Sequence, residues 1–333
     1  MPLKSAVVGL GWWGRRVIEE LDGSGVIEVA AAVDPSAEAR DWAASRGIAV
    51  YPSLDEALLD GGFGGVIITS PHREHAAQIR AALEAGHHVF CEKPFTTDPQ
   101  SAEEVLEMAR RFDRVVGIGH ERRFEPPILD LRDAVDSGKI GVPLVLEATF
   151  SHDKFLSLPV DNWRLSPTEA PVGPLSATGI HLMDLAIAIF GWPREVWANL
   201  NSDIAPLANG AALSVGIGFV GGGSALISAI LSTPFSMRLC LYGTHGWVEI
   251  RDRTHPEAPT GWDVLTRWRG DADPSNHFVP TARAVRDNLE AWAEAASGGA
   301  EYPVSPDEIL ANVRTFSAIT TAALSGTTVP VSG

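Results

Sequence analysis

Cysteine is nearly absent: the 333 residues contain two, Cys91 and Cys240. They are far apart and in no metal-like spacing, so neither a disulfide framework nor a zinc module is expected. A reduced, cytoplasmic setting is the simplest expectation. Positive charge is also scarce, with 26 Lys and Arg against 42 Asp and Glu and a formal net charge of −16. Basic residues cluster only in short pairs such as Arg15-Arg16 and Arg122-Arg123. Nucleic acids demand a basic stripe, so they and anionic membrane surfaces are excluded as expected partners. No apolar run reaches the roughly eighteen residues of a spanning helix. The opening "MPLKSAVVGLG" enters a strand-like run without the apolar stretch and cleavage site of a signal peptide. His120 and His152 have no partner histidine or cysteine at a ligand spacing, and no metal is expected.

What is present is ordinary for a folded chain: 45% hydrophobic and 20% charged residues, enough for about two cores. Up to about residue 122, β-branched runs ("SAVVGLG", "VIEVAAAVD", "GGVIITS", "HHVFCEKP", "RVVGIGHE") alternate with helical patterns. One of those helices is announced by Asp98 as N-cap and Pro99 in the first turn. Such alternation implies parallel βαβ units and a doubly wound sheet. Beyond Phe124 come one helix, a strand "PLVLEATFSH", a helix at about 179–190 and then six strand-like segments between about 195 and 269. Short Gly, Ser and Pro links between those segments suit antiparallel neighbours. The expectation is an α/β chain of two domains. Residues 1–122 form a Rossmann dinucleotide-binding domain, and 123–333 a substrate-binding and oligomerisation domain with an open, mostly antiparallel sheet and helices on one side.

Gly9, Gly11 and Gly14 form a complete G-x-G-x-x-G between a strand and a helix. Gly9 permits the tight turn, Gly11 lets backbone approach a pyrophosphate, and Gly14 lets the helix sit close to the strand. The helix start offers amide donors and the positive end of its dipole to phosphate. Asp34, twenty residues past Gly14, is placed to accept both ribose hydroxyls of an adenosine and to repel a 2′-phosphate. That favours NAD, with NADP left open by Ser36 and the nearby arginines. Trp12 and Trp13 occupy positions that need not face the pyrophosphate, and either cover the helix start or flank the nicotinamide end.

With "CEKPF" (91–95) read, the sequence resembles, over nearly its whole length, the Gfo/Idh/MocA family of NAD(P)-dependent sugar and polyol oxidoreductases. The likeness includes the glycine loop, "TSPHREH" (69–75), "ERRFEP" (121–126), "SGKIG" (137–141), "NWRL" (162–165) and "GPLSATGIHLMD" (173–184). It implies that Lys93 reaches the reacting hydroxyl, with Pro94 fixing its turn through a bond that is often cis, and that His181 is the acid/base. It further implies that Thr69, Ser70, Pro71 and His75 lie along the cofactor, that Glu92 is near the nicotinamide ribose, and that Arg122 touches substrate and cofactor. Trp163, Arg164 and Asp184 are implied as substrate residues. One position departs from the pattern: Ala177 stands where many members carry an aspartate, which leaves the histidine to act alone, Thr178 or Asp184 to hold the ring, or a different function. A homodimer or homotetramer built on the second domain's sheet is implied as well.

An imidazole titrates near neutrality and an ammonium stabilises alkoxide character, so the residues suit hydride transfer to and from a secondary alcohol. Two other classes remain. One retains NAD and uses transient oxidation to drive glycosidase- or lyase-like elimination. The other is a non-catalytic NAD-binding sensor.

Overall fold

A computed structural model describes residues 1–202 and 207–331. The chain forms two compact units, 1–124 with 283–313 and 125–282 with 314–333. A single cut after residue 122 therefore leaves 283–313 on the other side of the line from the unit they join.

In the first unit, β1 (Leu3–Val8), α1 (Trp12–Glu20), β2 (Ile27–Val33), α2 (Ala37–Ala44), β3 (Ala49–Tyr51) and α3 (Leu54–Asp60) make one half. The other half is β4 (Gly65–Ile68), α4 (His75–Glu84), β5 (His88–Cys91), α5 (Pro99–Arg111) and β6 (Val116–Ile118). The strands pair in parallel in the order β3-β2-β1-β4-β5-β6, the Rossmann arrangement, with its switch point between β1 and β4. The central strands are buried on both faces, as parallel strands covered by helices must be, so β4 reads Gly-Val-Ile-Ile without alternation. Asp98 caps α5 by accepting from Ser101 N at 2.8 Å, with Pro99 at its start. β3 and α3 were not read from the sequence, although Ser53 and Glu56 carry the S-x-x-E capping pattern and Glu56 N donates to Ser53 Oγ at 3.3 Å.

The second unit begins with α6 (Pro126–Asp136) and β7 (Pro143–Ser151), followed by α7 (Ile180–Phe190). Then come β8 (Pro193–Asn201), β9 (Ala212–Phe219), β10 (Ser224–Ile230), β11 (Ser236–Gly243), β12 (Gly246–Asp252), β13 (Trp262–Trp268) and β14 (Ser275–Val279). α8 (Ala284–Ala296) and the start of α9 (Pro306–Ser325) belong to the first unit, and the rest of α9 and the short β15 (Val329–Pro330) to the second. Among the described residues the sheet order is β14-β13-β12-β11-β7-β10-β9-β8-β15. Only β7–β10 is parallel among its neighbouring pairs, so the open antiparallel sheet expected from the short links is present. β9 alternates half-buried or exposed with buried positions, giving one covered face and one open face. The open face is mixed: Trp197 and Leu226 lie exposed near a ladder in which Arg238 and Arg251 each bond Glu249 at 2.6 Å. No described helix is long and apolar enough to cross a membrane.

The return of 283–313 to the first unit has a physical cause. Trp292 on α8 is 0% exposed and packs edge-on to Phe90 of β5, with centroids 5.8 Å apart. Side chains on Gly65 or Gly117 would strike its ring, so both strands carry glycine there. Asn288 Nδ2 donates to Ile118 O at 2.9 Å, and the Tyr302 hydroxyl accepts from Ile118 N at 3.2 Å, so the edge strand β6 is tied down. Trp292→Ala is expected to destabilise the protein by about 3–5 kcal/mol, the usual range for a buried Trp truncation. Denaturant unfolding checks this, and a midpoint equal to that of the parent protein would disprove it.

Candidate active site

The glycine loop is built by close backbone contact. A Cβ on Gly14 would lie 1.8 Å from Gly9 O, and one on Gly9, at φ +90°, would lie 2.7 Å from Ser70 N. Neither position tolerates a side chain. A Cβ on Gly11 meets nothing within 4 Å, so that side of the loop faces open space. Gly11 is also the N-cap of α1 and provides no side-chain bond, which leaves the first-turn amides turned toward that space. Asp34 Oδ2 accepts from Leu10 N at 2.7 Å and Oδ1 from Ser36 N at 2.8 Å. The carboxylate is thus fixed beside the loop, and its remaining lone pairs suit ribose hydroxyls. These residues fit a dinucleotide. Ser36 caps α2 through Ala39 N, while Arg40 Nη1 donates to the Asp34 and Pro35 carbonyls at 2.7 and 2.9 Å.

The two indoles differ in exposure. Trp12 is 60% exposed, whereas Trp13 is half-buried against the core that includes Leu10 and Val17. Their rings lie 5.5 Å apart and tilted by 37°.

The loop at 69–71 acts largely from beneath. Thr69 Oγ1 donates to Val8 O and Gly9 O at 3.0 and 2.6 Å, bracing the glycine turn. Ser70 Oγ donates to Gln78 Oε1 at 2.6 Å. Pro71 leads into the turn 72–74 ahead of α4. His75, implied as a cofactor contact, is 0% exposed, with Nδ1 2.9 Å from Pro94 O and Nε2 3.0 Å from Ser70 O. It therefore influences a ligand only through the backbone it holds. A neutral ring donates to one of those two carbonyls, and burial, which pushes its pKa down, outweighs the carbonyls' pull toward the doubly protonated form.

The peptide bond Lys93–Pro94 is cis, and Lys93 is half-buried at the end of β5. Glu92 beside it is 9% exposed, and its Oε2 accepts from Lys93 N at 3.2 Å. Burial raises the Glu92 pKa to about 7 with help from Glu121, while Trp13 and Lys93 pull it down. The Trp13 Nε1 is buried beside that carboxyl. Arg122 and Arg123 are both buried; Arg123 pairs with Glu308 at 2.5 Å.

In the second unit, a π-helical turn at Leu175–Gly179 runs into α7. Single π turns occur often at functional positions. His181, 8% exposed, lies in the first turn of α7, with the buried Asp184 one turn along the same side. Ala177 packs against an apolar cluster of Leu165, Leu207, Ala211 and Leu231, with Phe155 and Leu158 alongside. An apolar wall thus lies beside the position of the missing carboxylate. The Thr178 hydroxyl donates to Pro174 O at 3.1 Å, so it serves the turn. Arg164 stacks over Trp163 at 4.5 Å, and burial lowers its pKa against the opposing pull of Glu257.

Sequence reading gave no role to a histidine group beside His181. Phe150 lies 6.5 Å from the His181 ring, 6.2 Å from His152 and 5.9 Å from His255. The His152 and His255 rings are 5.5 Å apart, and Lys154 reaches both His255 and Glu257. Burial together with the nearby His255 and Lys154 pushes His152 down to about 4, which keeps it neutral. No spacing signal joins β7 to the loop after β12. Among the described residues no group of three His, Cys, Asp or Glu is arranged for a metal ion.

Two family models match the chain: the GFO/IDH/MocA oxidoreductase family with its NAD-binding Rossmann fold over residues 3–120, and the family's C-terminal domain over 128–249. An uncharacterized oxidoreductase of Schizosaccharomyces pombe is 30% identical over 260 residues, covering 74% of this chain and 70% of that protein. The chain belongs to the GFO/IDH/MocA oxidoreductase family. Its Rossmann unit is the NAD-binding element of that family. A second oxidoreductase of Schizosaccharomyces pombe is 34% identical, over 50% of this chain and 44% of its own length. Inositol 2-dehydrogenase of Streptomyces avermitilis is 35% identical over 149 residues, 43% of each chain. A levoglucosan dehydrogenase solved with NADH and levoglucosan has the same fold, with a TM-score of 0.85, 19% identity and 100% coverage of both chains.

The Glu92 carboxyl leads to a stability test. Its folded-state pKa of about 7 exceeds the ordinary 4.5, so the folded protein holds the proton where the unfolded chain has released it. Stability is therefore lost as pH rises from about 4.5 through about 7, and the penalty is complete above that. Glu92→Gln should leave the apo protein more stable than the parent above pH 8 by roughly 3 kcal/mol at most, with the gain fading toward pH 5. Thermal unfolding of both proteins across that range measures it; equal midpoints at high pH would exclude a strained carboxylate.

Proposed function

We propose that the protein is an NAD-dependent dehydrogenase or ketoreductase acting on a secondary alcohol of a sugar, inositol or related polyol. The observation that carries this reading is the closeness of the 69–71 loop, which braces the glycine turn, to the Lys93–Pro94 turn: the buried His75 ring lies between Ser70 O and Pro94 O and donates to one of them. A dinucleotide on the glycine loop and the ammonium of Lys93 then depend on neighbouring turns packed around the same ring. The inositol and levoglucosan dehydrogenases among the similar proteins support the substrate class.

In this reading the nicotinamide accepts or returns the hydride when bound. The first-turn amides of α1 hold the pyrophosphate, and Asp34 holds the adenosine ribose. Lys93 stabilises negative charge on the substrate oxygen, and His181 takes or gives the hydroxyl proton. Asp184, Trp163, Arg164 and Arg122 orient the substrate. NAD is favoured over NADP because the Asp34 carboxylate faces the ribose position. A cytoplasmic location completes the reading.

The test is spectrophotometric screening of polyols, aldoses and inositols for NADH formation. Lys93→Ala and His181→Ala are each expected to lower kcat by about 10²- to 10⁴-fold, the range supplied by a positioned proton-transfer group. Variants as active as the parent, or no turnover across the panel, would reject the assignment. Product without net NADH would instead favour the NAD-retaining elimination.

Self-association through the open sheet face belongs to the same reading, with Trp197 and Leu226 as exposed apolar side chains on it. Sedimentation velocity should show a dimer or tetramer, and Trp197→Glu with Leu226→Glu should shift it to monomer. A parent protein that sediments as a monomer would end this part of the proposal.

A further inference from the structure

Glu92 lies at the end of β5, where three elements meet around its carboxyl. A Cβ on Gly119, just past β6, would sit 2.5 Å from that carboxyl, so the glycine gives it its place. Trp13 approaches from α1 with a buried indole N–H whose interaction with the carboxylate pulls the Glu92 pKa down. The titratable groups facing it are Glu121 from the turn after β6, with Cys91 and Lys93 from its own strand end. Burial and Glu121 together leave the carboxyl titrating near neutrality.

In this fold a dinucleotide lies across the carboxyl ends of the strands, one half on each side of the switch point. Asp34 follows β2, so the adenosine half belongs on the β2–β3 side and the nicotinamide half on the side of β4, β5 and β6. Glu92 stands on that second side. Oxidised nicotinamide is cationic and the reduced ring is neutral, while the two forms have nearly the same shape. The desolvation they impose on Glu92 is therefore common to both, and their difference isolates the charge–charge interaction.

Resting on the cofactor reading above, we infer that Glu92 tells oxidised from reduced nicotinamide. Its carboxyl releases its proton to solvent when NAD⁺ binds, and holds or regains that proton when NADH is bound. Above the titration of Glu92 the carboxylate attracts the cationic ring; below it the neutral acid does not. NAD⁺ affinity relative to NADH consequently rises with pH. Glu92 acts as a specificity residue for the cofactor's redox state and stays outside the proton transfer to substrate.

The experiment measures Kd for NAD⁺ and NADH by calorimetry in buffers of different ionisation enthalpy, which also counts protons. Between about pH 6 and about pH 8.5 the ratio of the NADH to the NAD⁺ dissociation constant should rise about tenfold, the change produced by one pKa unit of coupling. Near neutrality NAD⁺ binding should release more protons than NADH binding. Glu92→Gln should flatten the ratio and abolish the difference in proton release, while Glu121→Gln should keep both with the midpoint moved to lower pH. A ratio constant with pH in the parent protein, or a slope surviving in Glu92→Gln, would overturn the inference while leaving cofactor binding intact. Failure of either nucleotide to bind at any pH would overturn both.

Discussion

The contact between Gly14 and Gly9 sets the terms for the first unit. With a would-be Cβ only 1.8 Å from a carbonyl oxygen, α1 can lie against the end of β1 only if residue 14 lacks a side chain. That proximity puts the helix N-terminus over the carboxyl ends of the strands, where a phosphate gains from both amides and dipole. The surrounding polar groups keep it there. Thr69 is bonded under the turn, Asp34 holds Leu10 N, and the His75 ring lies between the 69–71 loop and the Pro94 carbonyl. The glycine loop, Asp34 and Thr69 form one hydrogen-bonded assembly, with the Lys93 turn packed beside it around the His75 ring. A small shift in any of them is therefore felt by the others.

The second unit uses a different device. Its sheet supplies one covered face, and a π-helical turn feeds His181 into α7 close to the aromatic group of Phe150, His152 and His255. His152 is kept neutral there by burial and by like charges. The wall beside Ala177 is apolar, so the orientation of the imidazole does not rest on a neighbouring carboxylate at that position.

Much of this was legible in the chain because it depends on local rules. The alternation of β-branched runs with helical patterns specified the parallel sheet, and Asp98-Pro99 marked the start of α5 as found. The capping pattern at Ser53 and Glu56 carried the same kind of information about α3. It was outweighed by the brevity of β3 and α3, at 3 and 7 residues, too short for periodicity to register. The residues around the glycine loop were identified by type, but their mode of action was not. His75 matches a motif that suggests contact with a ligand, yet it is wholly buried and works through backbone.

By itself the sequence determined the elements, the two kinds of sheet, the glycine loop with Asp34, and the motif residues at Lys93 and His181. Each of these follows from interactions among neighbours in the chain or from backbone freedom at single residues. Tertiary structure alone decided that 283–313 cover the Rossmann sheet, that His152 and His255 share an aromatic group, and that Glu92 is desolvated near Trp13. Those outcomes depend on burial and on charges brought together from distant segments, and neither quantity exists until the chain has folded.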